Sequence, residues 1–498
     1  EEAMEDLAAR VWAGVPRWEG GYRQDGWAGP PPIPIFELSL GFAVVMFLWE
    51  YYLDLRQHHR LKRSGHLVPD KLKALVQRID DEDDAAASSG GKGGSGAGAK
   101  DGAPPVKAEN GGGMLKTLTT KAPKTQAYGL DKSAFGLIRS LWSQGFDSAI
   151  LLLGAMPWLW DLATQLVARA GVDPSTHQPV VSLVFMGLQY VGETLLSMPW
   201  SLYSTFVVEE KHGFNKSTLG IFFADLAKSM ALTAVIGAPV LFALLKIIDW
   251  GGPYFYLYVW AFMFGFSLFF LTIFPVYIQP LFNKYTPLDD GELKDRIFSL
   301  AAKCKFPLTK LFVVDGSKRS SHSNAYFYGF FKNKRIVLFD TLIKQMSTSE
   351  LEAVLGHEIG HWAHGHVIQG FVITQLYILA AFTAFGYFLH DPQLYASFGF
   401  TSQPTLVGLL LFFQTIWAPV DKFLNFVLTV NTRRNEFMAD RYSVALDYGA
   451  LLQRGLVKMF IENLSGLDPD PLYSLYHFSH PPLVQRLEAI DVAMKKKQ

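Results

Sequence analysis

The sequence predicts an α-helical integral membrane protein with a smaller metal-binding part outside the membrane, and three observations point to this class. Half of the 498 residues are hydrophobic and only 18% are charged, whereas a soluble protein usually carries about a quarter charged residues. Seven stretches of the chain are apolar over the roughly 20 residues that a helix needs to cross a bilayer. The sequence His-Glu-Ile-Gly-His, which has the HExxH pattern of zinc sites, lies at 357–361 between the fifth and sixth stretches.

The apolar stretches define seven predicted transmembrane helices. Several contain acidic or amide side chains, such as Glu50, Gln189, Gln375 and Asp421, which are costly against lipid. We therefore expect these side chains to face the interior of a helix bundle or a water-filled cavity. The predicted spans are 35–55, 146–167, 179–203, 226–248, 254–275, 367–389 and 405–430.

The loops between the spans differ in charge, and this difference predicts the orientation. If the seven spans alternate, one side receives the basic segments 56–63, 211–216 and 433–434 and the lysines near the C-terminus. The opposite loops contain neither lysine nor arginine. Cytoplasmic loops are enriched in both residues, so the basic side is predicted to be cytosolic and residues 1–34 to be lumenal. The formal net charge is zero, and it does not indicate a nucleic-acid partner.

The chain divides into five predicted parts. Residues 80–113, an acidic run followed by a tract rich in Gly, Ser and Ala, are expected to form a disordered linker between the first two spans. The part that contains the HExxH pattern begins as a helix and continues with two β-like runs at 310–314 and 335–339. The parts are an N-terminal segment 1–34, five spans with the linker in 35–275, a soluble segment 276–366, two spans in 367–430 and a C-terminal segment 431–498.

The HExxH pattern predicts a catalytic zinc site. Residues four apart share one face of a helix, so His357 and His361 can bind the same ion from successive turns. Glu358 follows the first ligand and can reach a water on the metal, where it would act as general base. Zinc lowers the pKa of such a water to about 7. The alternative is a surface helix with two histidines, but the flank at 353–355 is apolar.

A second helical pattern offers a third ligand. Glu436 and Asp440 are again four residues apart, and a catalytic zinc usually has three protein ligands and one open position. We expect Glu436 to bind the ion and Asp440 to orient His357 through its second ring nitrogen. Taken alone, such a pair is common and is more typical of a solvated helix face than of a metal site. Because His361 directly precedes the sixth span and Glu436 directly follows the seventh, both halves of the site should meet at one membrane face.

Other side chains with metal-binding or catalytic chemistry lie near these patterns. His364 and His366 follow the HExxH helix, and a four-histidine site is an alternative to roles around the ligands or at the surface. His480 precedes two prolines that restrict the local backbone. From there it could stabilise the oxyanion of a tetrahedral intermediate. The single cysteine, Cys304, lies at the end of an amphipathic pattern and is expected to be structural.

Six longer motifs are shared with one known family. They are PWSLY at 199–203, VEEKHGFN at 208–215, GSKRSSHSNAYFYGFF at 316–331, VLGHEIGHW at 354–362, EFMAD at 436–440 and SHPP at 479–482. On these motifs the chain resembles the type I CAAX prenyl proteases, integral-membrane zinc enzymes that act on isoprenylated proteins. The similarity covers nearly all of the chain outside the predicted linker and the extreme N-terminus.

For structure, the resemblance implies seven long helices that enclose a large water-filled chamber. One zinc ion is implied near the cytosolic or nucleoplasmic end of the chamber, which the soluble segments would cap. Ser323, Asn324 and Ala325 are implied to form an edge beside the metal, to which the substrate adds as an extended strand through main-chain hydrogen bonds. His480 is implied to lie near the oxygen of the transition state, and Arg433 is expected to support the ligands.

For function, the resemblance implies an endopeptidase that removes the last three residues of a farnesylated CAAX protein. Some members make a second, upstream cut, as on a yeast mating pheromone or a lamin precursor. The expected setting is the membrane of the endoplasmic reticulum or the inner nuclear membrane, as a multi-pass monomer, and the lysines at 495–497 resemble a retrieval signal.

Two alternatives depend on the same residues. One is a quality-control zinc protease that clears misfolded or translocon-clogging proteins. The other is a non-catalytic membrane scaffold with a relic of a protease site. A scaffold would be expected to have lost a ligand or the general base, whereas the base and all three proposed ligands are present in this chain.

Overall fold

Long helices occupy the first half of the chain in the computed structural model, which describes residues 33–89, 113–329 and 333–497. The predicted lumenal segment 1–34 lies almost wholly outside these residues. Single turns of π-helix lie within three of these helices, at Ser204–Glu209, Thr233–Gly237 and Phe274–Ile278. The helices are α1 (Ile35–Ser64), α2 (Asp70–Ser89), α3 (Met114–Leu152), α4 (Ala155–Arg169), α5 (Gln178–His212), α6 (Leu219–Trp250) and α7 (Gly252–Leu281).

A small sheet and three short helices follow. The two β-like runs predicted at 310–314 and 335–339 are confirmed as strands that pair in parallel. Two shorter strands flank them, so that the order in the sheet is β1-β2-β4-β3. The elements are β1 (Tyr285–Pro287), α8 (Glu292–Lys303), β2 (Leu308–Val314), β3 (Ala325–Tyr328), β4 (Lys334–Phe339), α9 (Asp340–Gln345) and α10 (Thr348–Ala363).

The C-terminal third returns to the membrane and ends in helices. Its elements are α11 (His366–Phe388), α12 (Pro392–Ser397), α13 (Thr405–Ile416), α14 (Ala418–Ala445), α15 (Gly449–Glu462), α16 (Pro471–His477) and α17 (Leu483–Lys497). Helix α14 continues beyond the end that we predicted for the last span at 430. Glu436 and Asp440 therefore lie on the extension of a membrane helix rather than in a separate segment.

Within the described residues, five to seven helical segments are long and apolar enough to cross a membrane, and the seven predicted spans equal the upper number. Within the described residues, five single helices are long and apolar enough: α1, α5, α6, α7 and α11. Two bent pairs, α3 with α4 and α13 with α14, turn by 65° and 58° and bring the count to seven if each pair is one span. The first bend lies at Gly154, whose φ of 64° favours glycine. The second directly precedes Pro419, which cannot donate a helical hydrogen bond.

The membrane helices pack closely at their ends and loosely between them. Only 6–17% of the apolar window of each single span is buried. An apolar cluster that includes Trp160, Phe185 and Tyr395 joins α4, α5 and α12 at the end away from α10. Loose packing between the ends is what a hollow bundle requires, and the enclosed chamber itself stays a prediction.

The predicted linker is wrong in its first part. Residues 80–89 belong to α2, and 90–112 lie outside the described residues. Leu72 and Val76 of α2 are fully buried in the core that surrounds α10. Asp80 accepts hydrogen bonds from the backbone N–H groups of Met114 and Leu115, at 2.8 and 2.9 Å, and so caps the start of α3. The acidic run looked solvated in the sequence because its partners are distant along the chain.

This packing predicts a stability effect far from the membrane spans. Leu72→Ala should lower the free energy of unfolding by about 2–5 kcal/mol, because it leaves a cavity in a closed apolar core. Thermal or denaturant unfolding of the purified protein in detergent measures the change. Lys73→Ala, on the exposed side of the same turn, is the matched control. Equal, small effects of both substitutions would mean that α2 is not part of the core.

Candidate metal centre

The start of α10, the helix that carries the HExxH pattern, is fixed by its own sequence, and its position is fixed by close packing against α14. Ser347 and Glu350 form a reciprocal capping box that fixes the first turn, with distances of 3.3 and 2.9 Å. A methyl group on Gly360 would lie 3.0 Å from Cα of Ala439 in α14. Glycine at this position therefore allows α10 and α14 to approach closely enough for their side chains to share one ion.

Three side chains converge where these two helices meet. Nε2 of His361 lies 3.2 Å from Nε2 of His357 and 3.2 Å from Oε1 of Glu436. Nε2 of His357 lies 3.5 Å from Oε2 of Glu436. His357 and Glu436 are buried, and the side chain of His361 is 18% exposed. The predicted ligands His357, His361 and Glu436 are thus brought together as one cluster, although the two histidines precede the membrane hairpin in the sequence and Glu436 follows it.

The separations and the chemistry of this cluster fit a zinc ion. Zinc bonds of about 2.0–2.1 Å at tetrahedral angles place ligand atoms about 3.3–3.4 Å apart. Two imidazole nitrogens that face each other at 3.2 Å are favourable only with a proton or a cation between them. Two nitrogens and a carboxylate oxygen form the His₂Glu donor set of catalytic zinc sites.

Asp440 and an arginine that we did not predict support the ligands from behind. Oδ1 of Asp440 accepts a hydrogen bond from Nδ1 of His357 at 2.9 Å, which leaves Nε2 turned towards the cluster. Arg486 of α17 donates to both oxygens of Asp440, at 2.7 and 3.0 Å. The side chain of Arg486 is only 11% exposed, and the carboxylate of Asp440 compensates its buried charge. Leu483 and Leu487 flank it in α17 and are buried, which is the one local sign that this arginine faces inwards.

Arg433 does not take the position that we predicted. Its guanidinium donates to the backbone oxygen of Ser474 in α16, at 3.3 Å. Arg433 precedes Glu436 by almost one helical turn on the membrane side, where α16 rather than the cluster is its neighbour. The arginine beside the ligands is Arg486.

Glu358 lies in the interior of the site without a fixed partner. No hydrogen bond or ion pair within the described part of the chain engages its carboxylate. Burial raises the pKa of Glu358 above that of an ordinary glutamate, and the neighbouring His357 opposes this shift. For His357, burial lowers the pKa, but hydrogen bonds with Asp440 and Glu436 outweigh it and raise the pKa to about 9. A free carboxylate with a raised pKa suits a group that must accept and release a proton.

Neither of the two histidines after the pattern joins the proposed ligands. Nδ1 of His366 lies 2.9 Å from Nδ1 of His361. His364 stacks on His366, with ring centroids 5.6 Å apart. Among the described residues, the group able to share an ion contains only His357, His361 and Glu436. The four-histidine alternative therefore has no support in the geometry.

His480 reaches the same cluster from the C-terminal segment. Its Nδ1 lies 2.9 Å from Oε2 of Glu436, and its side chain is 66% exposed, so a ligand at the site could contact it. Helix α16 precedes this loop. Asp470 is its N-cap and accepts hydrogen bonds from the backbone N–H groups of Leu472 and Tyr473. Asp470 is itself held by Arg56 of α1, at 2.9 Å. The first membrane helix thus helps to position the loop that carries His480.

Strand β3 is an edge strand beside α10. Ala325 pairs with Leu338 of β4. The carbonyl oxygen of Asn324 accepts the N–H of Phe339 at 3.1 Å, and its side-chain oxygen accepts the N–H of Ala325 at 2.8 Å. Oγ of Ser323 is buried and has no hydrogen-bond partner among the described residues. In the described structure, no strand pairs with the other edge of β3, so this edge can accept an extended peptide.

The fold and the site together define a membrane metallopeptidase: an HExxH helix, a carboxylate ligand from the next helical hairpin and an open edge strand beside them. Two family descriptions match the chain. "CAAX prenyl protease N-terminal, five membrane helices" matches residues 116–284, and "Peptidase family M48" matches residues 287–493.

Full-length relatives agree with these matches. The chain is 43% identical to CAAX prenyl protease 1 homolog of Arabidopsis thaliana, over 93% of this chain and 99% of that one. It is 39% identical to the Homo sapiens homolog, over 93% and 97%. The crystal structure of S. mikatae Ste24p superposes with a TM-score of 0.78 at 35% identity and covers 93% of this chain and 100% of that one.

The chain belongs to peptidase family M48, as a membrane metalloendopeptidase of the CAAX prenyl protease type. This membership confirms the fold class predicted from the sequence, a helical integral membrane protein with a metalloprotease domain at one end of its spans. It also confirms the family to which the sequence motifs pointed.

Proposed function

We propose that this chain is a zinc-dependent endopeptidase that removes the C-terminal tripeptide from farnesylated CAAX proteins, with the capacity for a second, upstream cut. The observation that carries the proposal is the free edge of β3, which packs next to α10, the helix that provides His357 and His361. An edge strand binds an extended peptide through its backbone, and this suits substrates whose side chains vary. The names of the relatives supply the class of substrate.

In this proposal, the peptide adds to β3 along Ser323, Asn324 and Ala325. Backbone groups of these residues and the amide of Asn324 would hold the chain extended, with the scissile carbonyl towards the ligand cluster. A zinc ion held by His357, His361 and Glu436 would supply Lewis-acid activation of the water and of the carbonyl.

The remaining steps belong to the side chains of the protein. Glu358 accepts the proton that the attacking water loses, and it delivers that proton to the nitrogen of the departing tripeptide, so the carboxylate is regenerated. His480, exposed beside Glu436, donates to the oxygen on which negative charge develops. Asp440, held by Arg486, keeps His357 oriented throughout the cycle.

The proposed setting follows from charge and resemblance. The basic segments that end the spans favour a cytosolic or nucleoplasmic site, in a monomeric, multi-pass protein of the endoplasmic-reticulum membrane. A farnesylated substrate would stay anchored in that bilayer while its C-terminus enters the site.

A pair of peptides tests the substrate. We expect a farnesylated CAAX peptide to be cleaved at least about tenfold more efficiently, in kcat/KM, than its unprenylated twin, because remote binding energy improves the reaction at the scissile bond. Mass spectrometry of the products shows whether the last three residues are released and whether an upstream cut follows. Equal, slow cleavage of both peptides would instead favour the quality-control protease.

A further inference from the structure

A cavity outside the metal centre lies at the end of the first membrane helix. It has a volume of about 770 Å³, which is in the range of about 300–1,000 Å³ that small-ligand sites occupy. One wall is the last part of α1 and the other is the turn that precedes α16. The lining residues are Tyr52, Leu55, Arg56, His59, Arg60, Arg63, Ser64, Asp468 and Asp470.

The cavity is basic, and one of its cations has no partner among the residues that the structure describes. Arg56, Arg60 and Arg63 follow one another at intervals of three or four residues and so line one face of α1. Arg56 pairs with Asp470 at 2.9 Å, and Arg60 pairs with Asp468 at 2.7 Å. Arg63 is exposed and makes no hydrogen bond or ion pair within the described residues. Three guanidinium groups against two carboxylates leave a positive charge, which is carried by Arg63.

The position of the cavity relative to the predicted membrane span indicates which part of the bilayer it contacts. The predicted first span is 35–55, and the cavity begins at Tyr52 and ends at Ser64, so it lies where acyl chains give way to headgroups. Clusters of lysine and arginine directly after a membrane helix attract anionic lipids. Arginine, with its planar fork of N–H donors, binds phosphate oxygens in pairs.

We propose that this cavity binds the phosphorylated headgroup of an anionic membrane lipid, with Arg63 as the main contact and Arg60 beside it. The two aspartates hold Arg56 and Arg60 in place but also repel an anion. Because three guanidinium groups outnumber two carboxylates, the net charge is positive. A headgroup with a phosphate monoester, which carries more than one negative charge, is therefore attracted more strongly than a phosphodiester. The bound headgroup would lie beside Arg56, which holds Asp470, the cap of α16, and so next to the segment that leads to His480.

Binding of a short-chain phosphatidylinositol bisphosphate to the purified full-length protein tests the proposal. We expect saturable binding that a phosphatidylcholine of equal chain length does not compete away. Arg63→Gln should weaken the binding about fivefold, the contribution of one basic residue at a membrane surface. Because Arg63 has no partner within the described part of the chain, this variant should keep its thermal unfolding midpoint and its zinc content.

Lys62→Gln is the matched control, since it removes the same charge from the adjacent residue, which does not line the cavity. It should change the affinity by less than about twofold. Equal weakening by both substitutions, or no saturable binding, would overturn the proposal, because only the general charge of α1 would then be involved. Equally tight, Arg63-dependent binding of free inositol trisphosphate would keep the phosphate site but overturn the lipid as its source.

Discussion

Glu358→Gln should lower kcat by about 10²- to 10⁴-fold while the protein keeps its zinc, which is the range that a positioned general base contributes. Glutamine has the shape of glutamate and cannot accept the proton. Glu358 lies outside the ligand cluster of His357, His361 and Glu436, so the substitution leaves the metal-binding atoms untouched. Cleavage of a farnesylated peptide and metal analysis of the same preparation measure the two quantities together.

Glu352→Gln is the control for the loss of a carboxylate from α10. Glu352 is buried on the same helix, where it accepts a hydrogen bond from Tyr448 at 2.7 Å and pairs with Arg296. Its substitution should lower the unfolding midpoint with little effect on kcat. If Glu358→Gln retained near-normal activity, or if both variants lost activity equally, the role of Glu358 as base would be wrong.

His361→Ala should abolish both zinc binding and activity. A site with three protein ligands that loses one of them keeps too few bonds to hold the ion against solvent. The fold should survive, because α10 is anchored by the apolar cluster around Leu351, Leu355 and Ile359, while His361 lies at the rim of that cluster. Zinc stoichiometry after exhaustive dialysis, with circular dichroism of the same sample, separates metal loss from unfolding.

His364→Ala provides the comparison for His361→Ala. Both residues lie at the end of α10, but the ring of His364 stacks on His366 and meets Tyr442 edge to face, and it is not in the cluster with Glu436. We expect His364→Ala to bind one zinc ion and to retain most of its activity. A metal-free His364→Ala protein would revive the four-histidine site, and full zinc occupancy in His361→Ala would refute the ligand set.

The metal cluster could be predicted almost completely because two kinds of local information converge on it. Helical periodicity places His357 with His361 and Glu436 with Asp440. The order of apolar spans then places both pairs at one end of a hairpin. Neither step requires knowledge of how distant side chains pack. The structure adds the separations of 3.2–3.5 Å, which make the cluster a fit for zinc.

The supporting residues could not be predicted in the same way. Arg486 and Asp440 are separated by 46 residues in the sequence, and nothing near Arg486 distinguishes it from a surface arginine except its apolar neighbours. Arg433 was the closer candidate along the chain, yet α16 engages it instead. Similarly, the acidic run at 80–84 is typical of solvated chain, and only the packing of α2 shows that Asp80 caps α3.

The sequence by itself determined that this protein is a helical membrane protein, and it predicted that an HExxH helix provides a metal site to which Glu436 returns. The length of an apolar run and the spacing of residues on a helix depend only on residues that are close in the sequence, so both can be recognised without knowledge of the tertiary structure. Only the tertiary structure decided that α2 belongs to the protease core, that two spans bend, that Arg486 rather than Arg433 lies behind the predicted ligands and that β3 offers a free edge next to α10. These features depend on which distant surfaces pack together, and packing is decided by the whole chain.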